Sequence, residues 1–169
     1  MTRILGAVLS GGGASRFGSD KLLAEGEGEA LIGRVIARLE PQVARVVLLG
    51  RSYAEHAALP DRPAPDLGPL GGLNAALHYA AKHGFDAVLM VPGDAPDLPR
   101  DLVAQLGTMP CYAKDSPVTG LWPATLVPIL DAYLVAGNKR AVAAFGDHVG
   151  ARSVTLVQPI VNINTPEDY

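Results

Sequence analysis

Short, wholly apolar runs that alternate with helical patterns set the tightest limit on how this chain folds. Ile4 to Leu9 reads as a buried strand, and it ends in glycines beginning at Gly11. Leu31, Ile32, Val35, Ile36 and Leu39 recur at helical spacing, which predicts an amphipathic helix from Ala30 to Leu39, stopped by Pro41. Arg45 to Leu49 is a second buried strand, followed by a polar, proline-rich stretch from Leu59 to Pro69. A helix is expected over Gly72 to Lys82, and a third buried strand over Ala87 to Val91. Pro99 to Leu106 opens a short helix, with proline in its permitted first turn. Strands apolar on both faces, alternating with helices, demand a mostly parallel sheet covered on each side. The last third is less regular. Val118 to Trp122 is expected as a strand. Leu126, Leu130, Tyr133 and Leu134 mark a helix, and Val154 to Val157 and Ile160 to Ile163 read as two late strands. The expected architecture is a three-layer α/β/α Rossmann-like domain spanning 1–169, with some antiparallel pairing late in the chain.

Composition narrows the function classes. A net charge of −3 offers no basic field for nucleic acid. No apolar run approaches the roughly 20 residues of a membrane span. The start is read as strand and loop rather than a secretory leader, because Gly6 interrupts an apolar run already shorter than such segments need. The single cysteine, Cys111, permits no internal disulfide, which fits a cytoplasmic setting, and it is expected as a small apolar residue near a strand. His56, His78, His83 and His148 share no ligand spacing and are expected on the surface, while Trp122 and Phe145 are expected in the core.

The segment LSGGGASRFGSDK, Leu9 to Lys21, carries the first chemistry. It follows a strand, where ligands of open α/β sheets gather. Small residues at Ser10, Gly11, Gly12 and Gly13 let main-chain N–H groups form a nest around phosphates. Arg16 brings a fork of donors and Lys21 a mobile point charge. Two common phosphate loops fail on spacing. A dinucleotide fingerprint from Gly11 needs glycine where Arg16 stands, and a P-loop from Gly13 needs lysine where Ser19 stands.

The second constellation is VLMVPGDAPDLP, Val88 to Pro99. A carboxylate directly after a buried strand shares the sheet edge with the glycine loop. Nucleotidyl transfer uses Mg²⁺, which takes one or two carboxylates plus phosphate oxygens, and Asp94 is the expected ligand. Asp97 has the weaker claim, since it suits a helix entry. PDLGPLGGL, Pro65 to Leu73, joins Asp66 to a tight turn that opens a helix and includes Gly71. NINTPEDY, Asn162 to Tyr169, is a good helix start at Thr165 and Pro166.

Leu9, Gly11, Gly12, Arg16, Gly18 and Lys21 match without a gap the signature loop of nucleotidyltransferases that include molybdenum cofactor guanylyltransferase. The chain resembles that family in order from Leu9 to Asp168. The resemblance implies that the loop wraps a triphosphate neutralised by Arg16 and Lys21. It implies that Asp94 binds nucleotide and Mg²⁺, that Asp66 contacts the nucleoside, and that Asn162 and Asn164 lie beside the pterin or the metal. The implied reaction is transfer of GMP from GTP to molybdopterin, by a monomer or weak homo-oligomer. Cytidylyl transfer from CTP, a sugar-phosphate acceptor, or a non-catalytic nucleotide-binding module remain the alternatives. Three positions depart from the family pattern. Ser116 stands where a histidine is usual, the segment Leu106 to Pro117 is short, and Leu49-Gly50-Arg51 lacks a nucleotide-contacting asparagine. The first two bear on the acceptor pocket and the third on the choice of base.

Overall fold

The computed structural model describes residues 2–10, 25–26, 29–53 and 56–163. Its centre is a seven-stranded sheet in the order β5-β4-β1-β6-β8-β7-β9. The strands are β1 (Ile4–Leu9), β4 (Arg45–Leu49), β5 (Ala58–Leu59), β6 (Ala87–Pro92), β7 (Cys111–Ala113), β8 (Ser116–Pro123) and β9 (Arg152–Val154). A separate hairpin pairs β2 (Glu25–Gly26) with β3 (Glu29–Ala30). β1 runs parallel to both β4 and β6, and β4 runs parallel to β5. The late pairing is antiparallel where β8 meets β6 and β7, and parallel again between β7 and β9.

Alternation along β1 sends its side chains into two cores. Ile4 and Val8 join Ile32, Val35, Ile36 and Leu39 of α1 (Leu31–Leu39) and Leu102 and Leu106 of α3 (Leu102–Leu106). Leu5 and Ala7 join α2 (Pro69–His83), α4 (Val127–Val135) and α5 (Val142–Val149) on the opposite face. The result is the expected three-layer α/β/α arrangement. Gly6 has a steric role here, because a Cβ at that position would stand 2.9 Å from Leu39 Cδ2. Trp122 and Phe145 are fully buried in the second core, as expected. Cys111 is buried within β7.

Several elements differ from the sequence expectation: β5 and the β2–β3 hairpin are additions to it, and α2 starts at Pro69 rather than Gly72. The short helix begins at Leu102 rather than Pro99. The polar Asn138-Lys139-Arg140 reads as a helix start in the sequence, and α5 begins just beyond it, at Val142. The late strands expected at 154–157 and 160–163 reduce to β9, Arg152–Val154. Lys114 N–H donates to Val154 O at 2.8 Å and closes that pairing. Beyond it Val157 and Val161 face solvent and Pro159 offers no N–H, so the segment cannot continue a ladder. No helix among the described residues is long and apolar enough to cross a membrane.

Candidate functional site

The strand order reverses direction at β1, between β4 on one side and β6 on the other. Open α/β sheets bind ligands outside the carboxyl ends of strands at such a point. Leu9 and Ser10 end β1 there. Gly93 N–H donates to Leu9 O at 3.1 Å, so the turn after β6 is stitched to the start of the glycine loop. Ser10 N–H donates to Leu49 O at 2.9 Å, which fastens the same point to β4. The Ser10 hydroxyl is buried, with Arg51 O at 2.8 Å and Leu49 O at 3.2 Å as acceptors, and it accepts from Arg51 N–H at 3.2 Å. Its side chain braces the scaffold while its backbone leads into the loop. Gly11, Gly12, Gly13, Arg16 and Lys21 lie outside the described residues.

Asp94 sits on the other side of the switch point, one residue past that stitched turn. Asn162 Nδ2 donates to Asp94 Oδ1 at 2.8 Å, and Ile163 N–H donates to Asp94 O at 2.7 Å. The late segment thus returns across the molecule and holds Asp94 at two points, its carboxylate through Asn162 and its main-chain carbonyl through Ile163. Two residues singled out separately in the sequence, 68 positions apart, are brought into contact. Asn164 lies outside the described residues. Asp97 points elsewhere: Arg34 Nη2 holds its carboxylate at 3.2 Å and Arg38 Nη2 at 3.8 Å, which ties α1 to this loop.

The third turn singled out in the sequence carries Asp66 and leads into α2. Asp66 adopts φ 62°, a left-handed conformation uncommon outside glycine. Gly68 follows at φ 66°, and Pro69 then starts α2 at its first turn. Arg140 Nη1 donates to Asp66 O at 3.1 Å, so the arm after α4 secures this turn. Gly71 is required here by space. A Cβ on it would lie 2.8 Å from Asp61 Oδ2 and 2.9 Å from Leu67 Cβ. Asp61 was not singled out in the sequence, yet its carboxyl packs into the heart of the turn. Burial pushes its pKa up, the nearby Asp66 carboxylate adds to that, and the Leu67 N–H opposes it. Nothing in residue type or spacing separates Asp61 from Asp66 within a proline-rich stretch. Its packing against Gly71 does.

A mostly parallel sheet with a glycine-rich segment leaving its switch point, a carboxylate across from it and a glycine-rich turn opening a helix has the layout of nucleotide-handling α/β proteins. Solved structures share this fold. A molybdopterin-guanine dinucleotide biosynthesis protein A from Archaeoglobus fulgidus aligns with a TM-score of 0.71 at 20% identity, over 97% of this chain and 94% of that one. A 4-diphosphocytidyl-2C-methyl-D-erythritol synthase aligns with a TM-score of 0.70 at 11% identity, over 99% and 95%. The family described as the MobA-like NTP transferase domain matches residues 6–150. A molybdenum cofactor guanylyltransferase of Rhodobacter capsulatus is 38% identical over 98% of this chain and 93% of its own length. A protein of the same name from Rhizobium leguminosarum bv. trifolii is 37% identical over 99% and 90%. The chain belongs to the MobA-like nucleotidyltransferase family.

Proposed function

We propose that this protein transfers GMP from GTP to the phosphate of a molybdopterin-type acceptor. An acceptor phosphate oxygen attacks the α-phosphorus, the bond from that phosphorus to the oxygen bridging the β-phosphorus breaks, and pyrophosphate leaves with the bond's electron pair. No covalent enzyme intermediate is needed, so catalysis rests on positioning and on neutralising charge. The observation that carries the reading is the Asp94–Asn162 contact beside the end of β1, where the glycine loop departs. The near-full-length relatives named guanylyltransferase support the choice of GTP and acceptor.

Gly11, Gly12 and Gly13 would present N–H groups to the triphosphate, with Arg16 and Lys21 bringing positive charge. A carboxylate with one oxygen oriented by an amide suits Mg²⁺, which draws further ligands from phosphate and water. Asp94 would hold that ion, which when bound offsets the negative charge shared by the triphosphate and the acceptor. Asn162 keeps the Asp94 carboxylate fixed for that task. Asp66, with Asp61 beside it, would contact the nucleoside end, and Gly71 makes room for the Asp61 carboxyl in that turn.

Asp94→Ala is expected to lower pyrophosphate release by at least about 10³-fold, with a melting temperature close to wild type. Wild-type turnover in that variant would refute the metal assignment. A thermal-shift comparison of GTP, CTP, UTP and ATP with Mg²⁺ checks the base. Equal or greater stabilisation by CTP would move the reading to cytidylyl transfer.

A further inference from the structure

The stretch from Pro60 to Gly68, which carries Asp61 and Asp66, has no helix or strand of its own. Its position depends on what its backbone groups bind. Arg62 N–H donates to Gly71 O at 3.1 Å. The Arg62 carbonyl is taken by Asn74, whose Nδ2 lies 3.3 Å away. Asn74 sits on α2 with no exposed surface, next to Leu73 of the second core. The same Nδ2 donates to Asp131 Oδ1 on α4 at 2.9 Å. An amide nitrogen carries two hydrogens, and here each has its own acceptor. Asp131 is held in turn by His78 Nε2, at 2.9 Å from one carboxylate oxygen and 3.1 Å from the other.

The charge on Asp131 decides which way the amide faces. A carboxylate accepts and does not donate, so it selects the Asn74 nitrogen over the oxygen. With one hydrogen committed to Asp131, the other can only point at the Arg62 carbonyl. The Asn74 Oδ1 is buried and finds no partner among the described residues. A buried amide with one unmet acceptor is a poor device for stability, where an apolar side chain of similar volume would pack as well. What Asn74 adds is a fixed place for the Arg62 carbonyl.

We infer that Asn74 and Asp131 are positioning residues for nucleotide binding, setting the 60–68 segment through the Arg62 carbonyl. Neither reaches the nucleotide itself. The inference rests on the reading that Asp61 and Asp66 face the nucleoside.

The test measures the nucleotide KM and kcat alongside the melting temperature of each variant. Asn74→Leu is expected to keep or raise the melting temperature while the GTP KM rises about fivefold, the loss of one net hydrogen bond. Its kcat should stay within about twofold of wild type, since no contact to the reacting atoms changes. Asp131→Ala should raise KM similarly, because the amide is then free to turn over. Asp131→Asn keeps an acceptor oxygen and should restore much of the affinity. Should Asn74→Leu fail to fold, the Asp131 pair carries the test, its side chain being 41% exposed. Asp66→Ala and Asp61→Ala run in the same assay. If they weaken GTP binding while Asn74→Leu and Asp131→Ala do not, the positioning role is wrong and the nucleoside reading stands. If neither Asp66→Ala nor Asp61→Ala changes GTP binding, the nucleoside reading itself fails and this inference falls with it.

Discussion

At the scale of single residues, the site is set by short polar contacts and by one missing side chain. Gly71 shows the second. Its substitution by alanine puts a methyl 2.8 Å from Asp61 Oδ2 and forces the turn open. Gly71→Ala is therefore expected to weaken GTP binding by about tenfold or more, measured by titration calorimetry, with the core intact. Asp61 makes a second prediction. Its folded-state pKa is raised, chiefly by burial, so the fold favours its protonated form. That contribution is full below the ordinary carboxylate value of about 3.9 and is lost as pH rises through the raised value. Asp61→Asn, which never ionises, should be at least as stable as wild type at pH 7. That margin should shrink on acidification to about pH 3.5, followed by denaturant unfolding at both values; a margin that grows instead would contradict the assignment. Asp94 and Asn162 were legible as residue types next to strand ends and turns. Their contact was not, because no local pattern relates positions so far apart. Asp61 and Asn74 were illegible for a different reason: each is ordinary in sequence and acquires its role from what packs on it.

Among elements, legibility followed periodicity. All five apolar positions of α1 foreseen from their spacing are buried. The three parallel strands β1, β4 and β6 carry runs apolar on both faces and were read nearly to the residue. The segment after β9 was misread as strand, because it is rich in apolar residues yet continues no ladder once β9 has paired with β7. Of α5 only the polar start at Asn138-Lys139-Arg140 was legible, because its small residues give no clear apolar spacing. The element that packs it, β8, offers a stability test. Trp122 is fully buried and meets Phe145 at 5.7 Å between ring centroids. Trp122→Ala should cost about 3–5 kcal/mol by chemical denaturation. Trp122→Phe should cost far less, about 1.5 kcal/mol or under, because it also removes an indole N–H that lacks a partner among the described residues. Equal losses from both would mean that ring volume is not what Trp122 contributes.

For the whole molecule, the sheet order gathers what the chain scatters. β1 at the centre brings the glycine-loop start, the Asp94 turn and the returning chain end to one edge, while the Asp66 turn enters from α2. The sequence by itself determined the layers and the parallel core, because buried strands and amphipathic helices are written in local apolar spacing. It also marked the loop after β1 as the candidate phosphate-binding segment, since glycines, Arg16 and Lys21 are informative as residue types. Only the tertiary structure decided that Asn162 clamps Asp94, that Gly71 makes room for Asp61, and that Asp131 turns the Asn74 amide toward Arg62. Asn162–Asp94 and Asn74–Asp131 join positions 68 and 57 apart, the contacts of Gly71 and Asn74 with the 60–68 segment need it folded back onto α2, and all of them exist only once the sheet and its helical layers have closed.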